Sequence, residues 1–136
     1  MKMVSNPPLS RFLSGRNVVV SSQTRRDALA GLFEQYPELP FLPVEKAGRF
    51  AGVIFREAFF AQKSPFDDLE KWIDPNIVYL YANNTLSEAM EVFATRAFKA
   101  IPVVDCRHRV AGILIPSDLP GLMPRVVRSK YWRGSF

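Results

Sequence analysis

The chain has 136 residues, of which 48% are hydrophobic and 23% are charged, and its formal net charge is +5. This length suits one compact domain, and the apolar content excludes an intrinsically disordered chain. Every apolar run is shorter than the roughly 18–20 residues of a membrane span, and residues 1–16 lack the apolar region of a secretory signal. The single cysteine, Cys106, excludes an internal disulfide. We therefore expect a cytoplasmic protein with no membrane insertion.

Two similar segments follow one another along the chain, and each begins with a predicted strand and helix. The strands are indicated by β-branched runs at residues 18–20 and 77–80. Each run is followed by a threonine with a carboxylate three residues later, Thr24 with Asp27 and Thr85 with Glu88. This spacing predicts a capping box at the start of each helix. Apolar residues at helical spacing continue both helices, and they include Ala28, Leu29, Leu32 and Phe33 in the first and Leu86, Ala89, Met90, Phe93 and Ala97 in the second.

The second half of each segment predicts two strands joined by a charged turn. These strands are residues 41–44 and 50–55 in the first segment, and residues 100–104 and 109–115 in the second. Further helices are predicted at residues 56–62, at residues 64–72 and from about Ser117. Equivalent positions such as Gly52 and Gly112 lie about 60 residues apart throughout. Such a duplication predicts two β-α-β-β-α units of an α/β (α+β) fold that bury their apolar faces against each other.

The sequence lacks the usual signs of a catalytic or metal-binding site. It has no glycine-rich phosphate loop, no metal-ligand cluster and only one histidine, His108. We therefore predict that the chain is not an enzyme and has no cofactor or metal. Basic residues do lie close to aromatic ones near the C-terminus, a mixture that can bind single-stranded nucleic acid. Solvated termini and contact with another protein are alternative interpretations, and no nucleic-acid-binding motif accompanies these residues.

The motifs of the second segment closely resemble the CBS domain, named for cystathionine β-synthase. The resemblance lies in residues 85–90, 101–105, 110–114 and 117–119. The first segment is similar more loosely, through Thr24 and residues 27–29, 43–44 and 51–54. The resemblance implies two CBS repeats, together a Bateman module, packed through their sheets with pseudo-twofold symmetry. The implied organisation is an N-terminal extension (1–16), a first repeat with a linker helix (17–76), a second repeat (77–122) and a basic, aromatic tail (123–136).

The resemblance also implies a function. Modules of this family bind adenosine compounds such as AMP, ADP, ATP or S-adenosylmethionine and thereby regulate an attached or associated enzyme, transporter or channel. They commonly form homodimers. The resemblance thus implies a regulatory nucleotide-binding module with an unidentified regulated partner.

The ligand signature of the family is Gly-apolar-apolar-Thr/Ser-x-x-Asp, and the second repeat matches it in part. Residues 112–118 keep the carboxylate, Asp118, but Ile115 replaces the hydroxyl residue. In the first repeat both groups are missing, because Phe55 and Ala58 occupy the two positions. The resemblance implies one ribose site at Asp118, with Ser117 beside it. A carboxylate suits this role because it can accept from both ribose hydroxyls.

Further ligand contacts are implied at the start of the second repeat and before its second strand. Lys99 would face a phosphate, and Ile77, Val78 and Tyr79 would flank the base. Each assignment has a structural alternative, since Asp118 and Ser117 can cap a short helix and Lys99 can be a solvated lysine. Two further functions remain open. One is a CBS pair that has lost its nucleotide and serves for dimerisation or docking, and the other is a nucleic-acid contact through the basic tail.

Overall fold

Two three-stranded sheets of identical topology form the framework of the molecule, a computed structural model that describes residues 7–13, 18–61 and 69–119. In each sheet the first strand pairs parallel with the second, and the second pairs antiparallel with the third. The predicted duplication of a β-α-β-β unit is therefore confirmed. None of the described helices is long and apolar enough to cross a bilayer.

The elements of the two repeats correspond one to one, except that the first repeat ends with an α-helix and the second with a 3-10 helix. The first repeat contains β1 (Val20–Ser21), α1 (Arg26–Gln35), β2 (Phe41–Lys46), β3 (Arg49–Phe55) and α2 (Arg56–Ala61). The second contains β4 (Leu80–Tyr81), α3 (Leu86–Thr95), β5 (Ile101–Val104), β6 (Val110–Leu114) and a 3-10 helix, Pro116–Asp118. Two more 3-10 helices, Leu9–Phe12 and Leu69–Trp72, precede the repeats. The leading strands are shorter and begin later than predicted, because only two residues of each pair with the neighbouring strand.

Only one of the two predicted capping boxes forms. The Thr85 hydroxyl accepts from the Glu88 N–H at 3.3 Å, and the Glu88 carboxylate accepts from the Thr85 N–H at 2.7 Å. The prediction for Thr24 and Asp27 is wrong. The Thr24 hydroxyl instead accepts from the Ser21 N–H at 3.1 Å, and α1 begins one residue later than the box requires. A competing turn thus uses the hydroxyl that would have capped the helix.

Most residues of the predicted apolar helix faces pack against the hydrophobic core. Leu29 and Phe33 of α1 and Ala89 of α3 are buried. Ala28 and Ala97 were predicted on the apolar faces but are exposed. Ala28 lies in the first turn of α1, where the helix faces solvent, and Ala97 lies beyond the end of α3.

The hydrophobic core of the first repeat extends into the second. Its buried cluster includes Ala100, Val104 and Ile113 of the second repeat. The Phe50 N–H donates to the His108 carbonyl at 2.7 Å, which joins the two repeats at their hairpins. The two sheets therefore enclose a common core, and neither repeat buries its apolar surface alone.

Each 3-10 helix that precedes a repeat packs on the other repeat. Leu9 lies in the second-repeat core with Leu80 and Ala89, and its N–H donates to the Asn84 carbonyl at 2.9 Å. Leu69 lies instead in the first-repeat core. The described part of the N-terminal extension, residues 7–13, is therefore an integral part of the fold. The rest of that extension, the beginning of the predicted helix 64–72 and the C-terminal tail lie outside the described residues.

Candidate functional site

A cavity of about 360 Å³ lies where the two repeats meet, and we call it the Lys99 cavity. The second repeat contributes two stretches to its lining, residues 76–78 before β4 and residues 96–100 between α3 and β5. The first repeat contributes Pro40, Phe41 and Phe55. This volume lies within the range of about 300–1,000 Å³ that is typical of small-molecule sites. The cavity can therefore admit a compact ligand between the repeats.

A second pocket, the Arg56 pocket, adjoins the first and has a volume of about 670 Å³. It is lined by the loop of residues 37–40, by residues 55–58, by Ala61 and by Lys99. Pro40, Phe55 and Lys99 line both spaces. The Arg56 pocket contains the carboxylates of Glu38 and Glu57, whereas no acidic side chain among the described residues lines the Lys99 cavity.

Arg56 is held against the end of α1 by its own hydrogen bonds. Its guanidinium donates to the carbonyls of Leu39 at 2.9 Å, Phe33 at 2.9 Å and Tyr36 at 2.7 Å. It also lies over the Phe33 ring, 4.8 Å from the ring centroid. Because the last carbonyls of a helix lack partners within the helix, a cation at this end is stabilising. Arg56 therefore connects α1 to the loop before β2, which leaves it few donors for a ligand.

The two positions at which the first repeat lacks the ligand signature both line the Arg56 pocket. Phe55 is half-buried, and its ring packs edge-to-face against Phe41 with 6.1 Å between centroids. Ala58 stands where the signature has its carboxylate. The carboxylates of this pocket, Glu38 and Glu57, lie outside the two signature positions. An aromatic ring and a methyl group occupy the place of two polar groups.

Three of the predicted ligand contacts lie together. Ile77, Val78 and Lys99 all line the Lys99 cavity, the first two half-buried and Lys99 exposed. Tyr79 packs elsewhere, with its ring 5.2 Å from that of Phe50 and 5.5 Å from that of His108. A side-chain hydrogen bond with Tyr81, together with burial, raises the pKa of the Tyr79 hydroxyl. Tyr79 therefore contributes to the contact between the repeats.

Asp118 and Ser117 lie in the 3-10 turn after β6 and line neither of these two spaces. The Asp118 carboxylate accepts from the Ile115 N–H at 2.9 Å, as the capping alternative predicts. Ser117 is exposed. A carboxylate has about four acceptor positions, so it can accept several hydrogen bonds at once.

Arg96 and Phe98 belong to the Lys99 cavity but were not among the predicted site residues. Both lie within three residues of Lys99, in the loop that connects α3 to β5. Their position beside Lys99 in the sequence could have indicated them, because residues of one short loop lie at the same edge of a sheet. The described residues contain no group of His, Cys, Asp and Glu able to hold a metal ion.

Comparison with known protein families gives a match that includes the second repeat. The CBS domain model matches residues 68–120. No curated protein sequence matches this chain. The fold resembles that of the CBS pair domain of a candidate Mg²⁺ transporter from Shewanella oneidensis MR-1, with a TM-score of 0.72 and 21% identity over 94% of this chain and 74% of that one.

Two other similar structures contain bound adenosine compounds. The protein CBSX2, in complex with AMP, has a TM-score of 0.63 and 22% identity, covering 90% of this chain and 95% of that one. A CBS domain pair in complex with 5′-methylthioadenosine and S-adenosylmethionine has a TM-score of 0.66 and 19% identity, covering 88% and 98%. At these identities the similarity establishes a shared fold, that of a CBS domain pair.

Proposed function

We propose that this chain, which contains a CBS domain at residues 68–120 and has the fold of a CBS domain pair, is a regulatory module that binds an adenosine compound at Asp118. The ligand would be AMP, ADP, ATP or S-adenosylmethionine, and the module would have no catalytic activity of its own. We place it in the cytoplasm, as a homodimer that controls an enzyme, transporter or channel. The observation that carries the proposal is the position of the Asp118 carboxylate in the first turn after β6.

The chemistry of Asp118 supports a ribose contact. Its carboxylate is oriented by the hydrogen bond from the Ile115 N–H, so one geometry is fixed before a ligand arrives. Two neighbouring ribose hydroxyls can donate to the two oxygens of a carboxylate. The bound AMP of CBSX2 supports an adenosine compound in this fold. We base the proposal on Asp118 with Ser117, because Lys99, Ile77 and Val78 line a cavity that Asp118 does not line.

Regulation requires that the ligand bind one arrangement of the module more tightly than another. The two repeats contribute to one core, so a ligand that contacts the second repeat can bias its packing against the first. A partner protein that contacts both repeats would bind the two arrangements with different affinities. This is the step that would convert binding of an adenosine compound into control of a partner.

The proposal is tested by a thermal-shift series with AMP, ADP, ATP and S-adenosylmethionine on the wild type and Asp118→Asn. A ligand at about a hundred times its dissociation constant adds roughly 2.7 kcal/mol, which raises the Tm of a chain of this size by several degrees. We expect one compound to raise the Tm of the wild type and to have no effect on Asp118→Asn. Asparagine keeps an oxygen that can accept from the Ile115 N–H, so it separates loss of the ligand from loss of the cap. Wild-type melting that is cooperative and unchanged by all four compounds would contradict the proposal.

The second candidate function is a docking module without a nucleotide. It is favoured by Phe55 and Ala58, which replace the polar signature groups of the first repeat, and by Ile115 in the second. This function predicts that Asp118→Asn changes neither the oligomeric state nor partner capture. Light scattering on the wild type and the variant, with and without AMP, distinguishes the two functions. A change of mass on addition of AMP would exclude a module that ignores nucleotides.

A further inference from the structure

Aromatic and cationic side chains come together where the turn between β5 and β6 meets β4. We call this the Tyr81 surface, and its residues are Tyr79, Tyr81, Arg107, His108 and Arg109. We propose that it binds single-stranded nucleic acid, with a base stacked on Tyr81 and phosphates at the two arginines. The surface lies at the other end of β6 from the 3-10 turn that follows this strand, and none of its residues lines the two pockets described above. It does not depend on the function proposed above and includes no residue of the C-terminal tail.

The rings of the Tyr81 surface form one cluster. The centroid of the Tyr81 ring lies 5.8 Å from that of Tyr79 and 6.5 Å from that of His108. Phe50 of the first repeat packs beneath the cluster, with its ring 5.2 Å from Tyr79 and 6.0 Å from His108. Tyr79 and His108 are half-buried, whereas Tyr81 is 42% exposed. The Tyr81 ring is therefore held by its neighbours and remains accessible to a base.

Two exposed arginines, Arg107 and Arg109, flank His108 in the turn. The nearby Asp105 carboxylate accepts from the Arg107 N–H at 2.8 Å and from the Arg109 N–H at 3.0 Å, which orders the turn. The Arg109 N–H, then the Arg107 N–H and the charges of both guanidiniums, hold the pKa of the Asp105 carboxyl below its ordinary value. Within the described part of the chain neither guanidinium forms a salt bridge. Both can therefore form charge-assisted hydrogen bonds with phosphates.

The equivalent place in the first repeat lacks this chemistry. Ser21 and Tyr81 are each the second residue of a two-residue strand, and Val19 stands where the second repeat has Tyr79. The turn between β2 and β3 consists of residues 47–48, an alanine and a glycine, and so carries neither an aromatic ring nor a charge. The shared fold therefore does not require an exposed ring at Tyr81, and its presence favours a role in binding.

A single strand of nucleic acid matches these groups better than a membrane or a duplex does. Every base has a π-face that stacks on an aromatic ring, whereas the bases of a duplex are already stacked on each other. Binding to a membrane surface requires exposed apolar side chains that insert among the lipids. Besides Tyr81, the large exposed hydrophobic side chains of the described residues are Val19 and Phe60, and both belong to the first repeat.

The test is fluorescence anisotropy of a labelled oligothymidylate of about 12 nucleotides, a usual site size, titrated with the full chain at about 50 mM NaCl and above. We expect the single strand to bind more tightly than a duplex of the same length. Tyr81→Leu should weaken binding by about fivefold or more and leave its salt dependence unchanged, since it removes a stacking surface and no charge. Phe60→Leu is the matched control, because it removes another exposed aromatic ring, 52% accessible, from α2.

The arginines are tested by the salt dependence of the same binding. Arg107→Gln and Arg109→Gln should each reduce the slope of log K against log salt by about 0.7, the value for one phosphate contact to a single strand. Arg96→Gln is the matched control, because this exposed arginine precedes β5 whereas the turn follows β5. It should leave the slope unchanged.

Several results would overturn this inference. They are the absence of binding at low salt, equal affinity for the duplex, and equal effects of Tyr81→Leu and Phe60→Leu. Displacement of the oligonucleotide by polyglutamate at equal charge would show a surface for acidic polypeptides instead. Binding that is lost in Trp132→Leu and unchanged in Tyr81→Leu would assign the contact to the C-terminal tail.

Two further variants separate the ring from the fold. Tyr81→Phe keeps the ring and should bind as the wild type does. Tyr81→Ser introduces the residue found at the equivalent position of the first repeat, and it provides a second variant if the thermal melt shows that Tyr81→Leu fails to fold. Asp118→Asn should bind the oligonucleotide as the wild type does, so failure of this inference is distinguishable from failure of the adenosine site.

Discussion

Two glycines at equivalent positions of the repeats have different backbone conformations. Gly52 has a φ of +143°, a conformation that favours glycine. A Cβ atom there would lie 2.8 Å from the carbonyl carbon of Asp74 and 2.9 Å from Cγ2 of Ile73. The segment that connects the repeats approaches at this point, since the Val53 N–H donates to the Asp74 carbonyl at 3.0 Å and the Asp74 N–H donates back at 2.8 Å.

We predict that Gly52→Ala lowers the free energy of unfolding by roughly 2–4 kcal/mol, because it adds backbone strain and displaces the connecting segment. Gly112→Ala is the matched control. The nearest atoms to a Cβ at Gly112 belong to the Leu13 side chain, at 3.3 Å, and that chain can move. We expect a loss of less than about 1 kcal/mol there. Urea unfolding of both variants checks the prediction, and equal losses would contradict it.

The sequence predicted the equivalence of these two glycines but could not predict their difference. Both follow an alanine at the same point of a strand. The distinction arises from what packs beside each strand: the backbone of residues 73–74 in the first repeat and the Leu13 side chain in the second. Contacts between segments far apart in sequence determine it, and a local pattern carries no information about them. The same holds for Arg56, whose three carbonyl partners lie 17 to 23 residues away.

At the level of helices, the two predicted capping boxes permit a direct comparison. We predict that Thr85→Ala lowers the free energy of unfolding by about 1 kcal/mol, since it removes the hydroxyl that accepts from the Glu88 N–H. Thr24→Ala should cost less, because the Thr24 hydroxyl accepts only within a turn and caps no helix. Thermal unfolding of the two variants checks the difference. A larger loss for Thr24→Ala would contradict it.

The same box makes the start of α3 depend on pH. A hydrogen bond from the Thr85 N–H, with others from the Asn84 amide and the Thr85 hydroxyl, holds the pKa of the Glu88 carboxyl below its ordinary value. A carboxyl whose pKa is lowered on folding contributes stability above its unfolded pKa, and this contribution is lost as the pH falls through the folded pKa. The chemical shift of the Thr85 amide should therefore titrate at a lower pH than an ordinary glutamate. A midpoint at or above the ordinary value would contradict the hydrogen bond.

The sequence patterns predicted which strands and helices form better than they predicted the residues at which each begins and ends. The order of strands and helices is as expected, and α1 ends at Gln35, two residues before Pro37, which lacks the N–H that would continue the helix. Thr24 and Asp27 have the same spacing as Thr85 and Glu88, yet only the second pair forms the box. The Ser21 N–H competes for the Thr24 hydroxyl. Where two local hydrogen-bonding arrangements are nearly equal in free energy, the spacing of residue types alone does not choose between them.

At the level of the whole molecule, each repeat depends on the other to complete its hydrophobic core. The 3-10 helix before each repeat supplies a buried leucine to the core of the other, Leu9 to the second and Leu69 to the first. The sequence indicated mutual packing of the repeats but placed residues 1–16 outside them. Residues 7–12 contain no extended apolar pattern, so only the tertiary structure reveals that Leu9 is fully buried. We infer that the two cores form one cooperative unit.

This cooperativity has a specific test at the junction between the hairpins. The Val110 N–H of the second repeat donates to the Glu45 carboxylate of the first at 2.8 Å. We predict that Glu45→Ala lowers the free energy of unfolding of the whole chain by about 1–3 kcal/mol, because a partly buried N–H loses its acceptor, and that unfolding remains a single transition. Glu45→Gln keeps an acceptor oxygen and should restore most of the loss, while Glu34→Ala removes an exposed carboxylate from α1 and should have little effect. Calorimetry and far-ultraviolet circular dichroism check these expectations. If Glu45→Ala produced two separate transitions, the repeats would be independent, and a ligand bound to one could not act through the packing of the other.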